Sequence, residues 1–217
     1  ILLTPLYFLP LTSNDNIHEG NALRMDWNEV LPAEECSYLI GNPPFYGARM
    51  QSKEQKADLQ EVFHGARNSG NVDYVGGWYM KAAEYMDDWP IRATFVSTNS
   101  ICQGEQVANL WSPIFDLGFH IDYAYDTFRW RNEANDQAHV FVVIVGFSKA
   151  KRSRVLYHHV QPDCRPSILH PSNINAYLID APNVFIWNRS KPICAVPKIG
   201  IGNKPIDGGN YLFSKEE

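Results

Sequence analysis

Ile40-Gly41-Asn42-Pro43-Pro44-Phe45 takes a short apolar run straight into two consecutive prolines. Each proline fixes φ and removes a backbone donor, so the chain here must be a strand end running into a stiff, extended turn. Carbonyl oxygens are left pointing outward with no helix or sheet to take them up. Asn42 in front supplies a side-chain amide, and Phe45 behind supplies a flat apolar face. A planar amine on a heterocycle needs these parts: two acceptors for its hydrogens and an aromatic plate for its ring. The plain alternative is a turn that ends a strand, since Asn-Pro and Pro-Pro are common turn dipeptides.

Outward from this turn the chain alternates strands and helices. Residues 37–40 read as a short buried strand delivering Asn42 to its end. Residues 53–64 read as a helix with Ala57, Val62 and Phe63 inward, and 66–72 as a loop. Residues 72–86 read as a stronger helix, with Val72, Val75, Tyr79, Ala82, Ala83 and Met86 recurring at helical spacing as core. Pro90 stops it. Residues 92–97 form an interior-style strand, which places Thr98-Asn99-Ser100 at its carboxyl end. A helix over 107–117 ends at Gly118, and 119–125 and 139–147 are two further strands. The expected fold is α/β, a parallel sheet closed by an antiparallel edge hairpin. Ahead of the motif, residues 17–27 hold a short strand-like piece and then Gly20-Asn21-Ala22. In doubly wound sheets, ligands sit at the carboxyl ends of strands, beside turns of this kind. Asp26 suits a helix N-cap or a ligand contact. Between the last two strands, 126–137 read as a polar loop in which Phe128 and Trp130 interleave with Arg129 and Arg131, a pattern suited to stacking and phosphate contacts or to capping the core.

Asn42-Pro43-Pro44-Phe45 resembles the catalytic motif of the amino-methyltransferases that methylate adenine N6 in DNA. Gly20 to Trp27, Phe95 to Ile101, Gln103 to Gln106, Asp126 to Trp130, and Gly202 to Gly209 extend the likeness over most of the chain in order. Together they resemble the methyltransferase part of the MmeI-like group of fused restriction–modification enzymes. The resemblance implies a partial Rossmann-like sheet that uses S-adenosylmethionine, acting on double-stranded DNA in the bacterial cytoplasm. It implies Asn42, Pro43, Pro44 and Phe45 as catalytic residues. Asn21 and Ala22, with Asp26, fall beside the cofactor, although many relatives carry an acid where Asn21 stands. Phe128, with Trp130 second, would face Phe45 across a flipped base, and Arg129 and Arg131 would meet DNA. It also implies a magnesium-dependent nuclease domain outside these residues. The family's glycine-rich cofactor loop lies upstream and is not among the residues before Asn42. The chain therefore reads as a fragment, expected to hold cofactor poorly and to be inactive alone.

A net charge of −5 does not advertise nucleic-acid binding, but local patches decide that question, and Lys149, Lys151, Arg152 and Arg154 form one basic run. Cys36, Cys102, Cys164 and Cys194 lack CxxC spacing, which argues for a reducing compartment and against a disulfide scaffold or zinc site. His158 and His159 would point to opposite faces of a strand, so no metal is expected there. The apolar run at 1–11 is too short to span a bilayer and has no basic flank, so no membrane partner is expected.

After Arg154 prolines punctuate short apolar pieces, and a boundary is expected near residue 160. Residues 1–160 would be the catalytic domain and 161–217 a connector into a target-recognition region. Gly200-Ile201-Gly202 is too weak for a phosphate loop. Two other functions fit the residues: a methyltransferase acting on RNA or a protein amide, and a catalytically inactive nucleic-acid-binding module.

Overall fold

The structure, a computed structural model, describes residues 17–66, 68–130, 140–189, 191 and 193–196. The helices are α1 (Trp27–Val30), α2 (Lys53–Val62), α3 (Gly76–Tyr85), α4 (Gly104–Gln106) and α5 (Ser112–Asp116). The strands are β1 (Tyr38–Gly41), β2 (Arg92–Thr98), β3 (His120–Trp130), β4 (Val140–Ser148), β5 (Val155–His158) and β6 (Ser167–Leu169). They form one mixed sheet in the order β1-β2-β4-β3-β5-β6. β1 is parallel to β2, β4 is antiparallel to both β2 and β3, and β5 is parallel to β3. It follows that β1, β2, β3 and β5 all run the same way. Their carboxyl ends (Gly41, Thr98, Trp130 and His158) share one rim.

Sequence pattern explains the elements. β2 alternates buried and half-buried residues, so Ala93, Phe95 and Ser97 face one side. That register continues across the sheet: Ala93 pairs with Phe147 and Phe95 with Val145. α3 lies on this face through Tyr79, whose ring stacks on Phe147 (5.4 Å) and meets Phe95 and Trp111 edge-on. The buried Tyr79 hydroxyl is satisfied by Ser97 at 2.8 Å. α4 and α5 flank a π-helical turn, Val107–Trp111, and Gly118 ends the run at φ +88°, where a side chain would be strained. On the other face the Tyr123 ring crosses Gly146, where a Cβ would come 2.2 Å from the ring. α2 opens on a capping box between Ser52 and Gln55.

Several expectations change. Residues 17–26 form turns, not a strand, and Asp26 is the N-cap of α1, accepting from the Asn28 N–H at 2.9 Å. β1 is not buried: no described strand pairs with its outer edge, and Ile40 is 81% exposed. On α2, Ala57 is exposed and Asp58 and Leu59 are buried instead, because the buried stripe lies one position further round the helix. Strand β3 continues through Trp130, since Phe128, Arg129 and Trp130 pair with Val142, Phe141 and Val140 across a register shift. The β3–β4 hairpin has β5 and β6 beyond it.

The described chain divides at residue 186. The first unit, Ile1–Ile186, contains the whole sheet, and its last stretch buries Ile174, Ala176 and Leu178 in the core. The second unit is Trp187–Glu217. No helix among the described residues is long and apolar enough to cross a membrane.

Candidate active site

Asn42-Pro43-Pro44-Phe45 leaves the carboxyl end of β1 as extended chain. Asn42 and Pro44 are exposed, Pro43 is buried, and Phe45 is half-buried against the core. The Asn42 amide makes no hydrogen bond to a described residue. Behind the motif is a cavity of about 600 Å³ whose wall includes Ala22, Trp27, Trp78, Asn42, Pro43 and Pro44. This is within the ~300–1,000 Å³ of small-molecule pockets, and its wall is mostly apolar. The fold thus brings one of the expected cofactor residues against three of the four motif residues.

The turn carrying Ala22 is held from below. The Asn21 Nδ2 donates to Asp58 Oδ2 (2.9 Å), its Oδ1 accepts the Leu23 N–H (3.0 Å), and the Arg24 Nε donates to Asp58 Oδ1 (2.6 Å). Both polar ends of the Asn21 side chain are therefore used inside the protein. The Trp27 indole N–H donates to the Ala22 carbonyl at 2.8 Å, and Lys81 donates to the Leu23 carbonyl at 2.8 Å. Burial lowers the Lys81 pKa. Burial and the bond to Asp58 push the Tyr74 hydroxyl up to about 12, so it stays a donor. Burial also lifts Tyr85, beside the cavity, to about 12. Asp26 stands away from the motif, beside Arg24, Asn28 and Lys81.

Phe128 stands on the same rim: it pairs with Val142, which on its other side pairs with Thr98 at the end of β2. One face of its ring is taken by His159 (centroids 5.4 Å apart). Trp130, at the end of β3, is 43% exposed. Arg129 is engaged within the fold, with its guanidinium 3.5 Å from Asp163 and over the Phe141 ring. Arg131, the 202–209 stretch and Gly200-Ile201-Gly202 lie outside the described residues. The basic run from Lys149 follows β4, which is antiparallel to β2, and so lies at the rim opposite Asn42. Lys149 is paired there with Asp87.

His158 and His159 do not point apart. Both Nδ1 atoms reach the Asp126 carboxylate, and the His159 N–H also donates to it at 2.8 Å. Strand alternation fails because β5 ends at His158 and the chain turns there. Sequence reasoning also passed over Asp58 and Asp73, both nearly fully buried. Asp58 resembles a solvated helix residue. Asp73 carries a usable signal, a lone acid inside the apolar run Val72 to Val75.

Comparisons with known proteins identify the family. The MmeI DNA-methyltransferase domain family matches residues 4–158, and the MmeI target recognition domain family matches 180–217. DNA methyltransferase A of Bacillus subtilis (strain 168) is 41% identical over 211 residues, covering 96% of this chain and 24% of its own length. The structure of the Type IIL restriction-modification enzyme MmeI in complex with DNA is 43% identical, with a TM-score of 0.86 over 96% of this chain and 28% of that one. The chain spans about a quarter of the length of these relatives. By its match over residues 4–158, it belongs to the family of MmeI DNA-methyltransferase domains.

Proposed function

We propose that the chain is the target-amine part of a DNA methyltransferase that modifies adenine at N6, within a restriction–modification protein of the bacterial cytoplasm. The observation that carries this reading is the shared cavity of Ala22 with Asn42, Pro43 and Pro44 at the end of a parallel strand. S-adenosylmethionine fits the residues present, since an apolar, tryptophan-lined cavity leads to an amide and a proline carbonyl; it supplies an electrophilic methyl group. Ala22 and the indoles of Trp27 and Trp78 would line its site, while Asn21 and Asp26 hold the turns that shape it. Magnesium would belong only to a nuclease domain elsewhere in the polypeptide.

The adenine N6 lone pair is delocalised into the ring, which makes the amine a poor nucleophile. The Asn42 Oδ1 and the Pro43 carbonyl accept its two hydrogens and favour the pyramidal geometry that localises the lone pair. The chain's contribution is orientation and electrostatics, with no perturbed general base. In a duplex the base is stacked and paired, so it must be flipped out to reach Asn42. Phe45 offers one face for it. Phe128, or Trp130 beside it, offers the other, and Arg131, with Arg129 once it exchanges Asp163 for a phosphate, would take the flanking phosphates. Residues 161–217 are the connector into the recognition region and its beginning, and the match over 180–217 supports a start of that region near residue 180.

The test uses the complete polypeptide that contains this chain and labelled S-adenosylmethionine, offered DNA, RNA and protein in parallel. Label should enter DNA as N6-methyladenine. Asn42→Ala should abolish transfer, lowering it by at least about 100-fold, while cofactor binding by calorimetry is retained. Label in RNA or in a protein amide, or full activity of Asn42→Ala, would refute the proposal.

A further inference from the structure

Asp73 and Tyr74 are adjacent, precede α3, and are 2% and 5% exposed. Their polar groups leave in opposite directions. Asp73 Oδ1 accepts the N–H of Tyr46, the residue that follows Phe45, at 3.2 Å, and that of Val75 at 3.3 Å. Asp73 Oδ2 lies within hydrogen-bond distance of the Thr98 (3.0 Å) and Ser100 (3.3 Å) hydroxyls at the carboxyl end of β2; these two also bond each other, so one hydroxyl donates to its neighbour and the other to the carboxylate. The Asp73 N–H is itself held by Gln106 Oε1 at 2.8 Å. The Tyr74 N–H donates to the Tyr46 carbonyl at 2.9 Å, and the buried Gln51 amide donates to the same oxygen at 3.0 Å. Both backbone groups of Tyr46 are therefore fixed. In the other direction, the Tyr74 hydroxyl donates to Asp58 Oδ2 at 2.7 Å, the oxygen that also holds Asn21.

From this convergence we infer that Asp73 and Tyr74 are positioning residues that set the two halves of the site against each other. Asp73 ties the end of the Asn42–Phe45 motif to the end of β2. Tyr74 ties that same segment to Asp58 of α2, the carboxylate that holds the turn carrying Ala22. Neither side chain needs to touch a substrate. The chain between Pro43 and Gln51 has no regular structure of its own, and Asn42 makes no bond to a described residue, so beside the packing of Phe45 on the core the motif takes its placement from Pro43 behind and Tyr46 ahead. A buried carboxylate accepting two backbone N–H groups and one hydroxyl of the Thr98–Ser100 pair is a stiff anchor for that purpose. An apolar residue at 73 would strand the Tyr46 N–H, release the Thr98–Ser100 hydroxyl pair from it and let the motif drift. What is positioned rests on the methyltransferase reading above; the clamp itself does not.

The test compares wild-type full-length protein with Asp73→Ala, Asp73→Asn and Tyr74→Phe. Methyl-transfer kinetics, calorimetric cofactor binding and amide hydrogen exchange over residues 42–51 are measured for each. Asparagine keeps the geometry: its Oδ1 accepts the Tyr46 and Val75 N–H groups, and its Nδ2 donates to a hydroxyl that can rotate its own hydrogen away. Asp73→Ala should lower kcat about 100-fold, the cost of a displacement near 1 Å, with cofactor affinity retained and exchange faster over 42–51 alone. Asp73→Asn should recover most of that loss. Tyr74→Phe should act on the other half, raising the cofactor KM about tenfold more than it lowers kcat.

Normal kcat in Asp73→Ala would overturn the inference. So would an Asp73→Asn protein as inactive as the alanine variant, which would indicate a charge or proton role. So would variants that all lower kcat and cofactor affinity together with exchange faster everywhere, which would indicate mere destabilisation. Should the wild-type protein transfer no methyl group, the functional reading fails, and hydrogen exchange alone decides the clamp. Faster exchange confined to 42–51 in Asp73→Ala upholds it, and unchanged exchange refutes it.

Discussion

Asp58 sits 3% exposed on a helix that sequence pattern shows as amphipathic with a polar outer face. Burial alone would raise its pKa, but hydrogen bonds from Tyr74, Arg24 and Asn21 outweigh it and hold the carboxyl below its ordinary 3.8. The folded protein therefore favours the ionised form more than the unfolded chain does. The stability this contributes is complete above about pH 4 and is lost as pH falls through the lowered folded-state value. Asp58→Asn should accordingly flatten the fall of stability below that pH. At neutral pH it should cost about 1–3 kcal/mol, because an amide cannot accept from all three donors. Urea unfolding from pH 3 to 7 reads both effects. The motif at 42–45 was legible because prolines declare their own backbone. Asp58 was not, because an acid on a helix looks the same in sequence whether it meets water or a tyrosine hydroxyl.

At the scale of elements, the strongly patterned pieces could be read directly: the buried stripe over 72–86 (although α3 itself begins only at Gly76, so Val72 and Val75 precede it), the apolar run of β4 and the glycine that ends the helical run, which starts at 104 and not 107. The capping box of α2 is equally local, with the Ser52 Oγ accepting the Gln55 N–H at 3.2 Å and the Gln55 Oε1 accepting the Ser52 N–H at 2.9 Å. Ser52→Ala should lower the stability of the protein by about 1 kcal/mol, measured as a shift of the urea midpoint at constant slope. The far end of β3 was hidden because Asp126 to Trp130 is polar and aromatic by composition. Its strand state comes from pairing with β4 across a bulge, and no local propensity reports that. β5 and β6 are four and three residues long and leave too little period to detect.

For the molecule as a whole, alternation of strands and helices implies parallel strands that end on one rim, so the rim that carries Asn42 was foreseeable. The extent of the packed unit was not. Proline punctuation suggested a change near residue 160, while the chain beyond it still supplies β6 and the buried Ile174 and Leu178. Two such side chains contribute about 1.5–3 kcal/mol each when buried. A chain ended after His158 should therefore unfold at lower urea than one ended after Ile186, and should be cut sooner by a protease.

The cavity wall has one more consequence. Trp27 and Trp78 both line the space behind Asn42, and the Trp27 indole is tethered to the Ala22 carbonyl. Indole emission depends on the polarity and hydrogen bonding around the ring. The pocket thus carries an optical reporter of its own contents, built from two of the protein's six tryptophans and independent of any methyl group being moved.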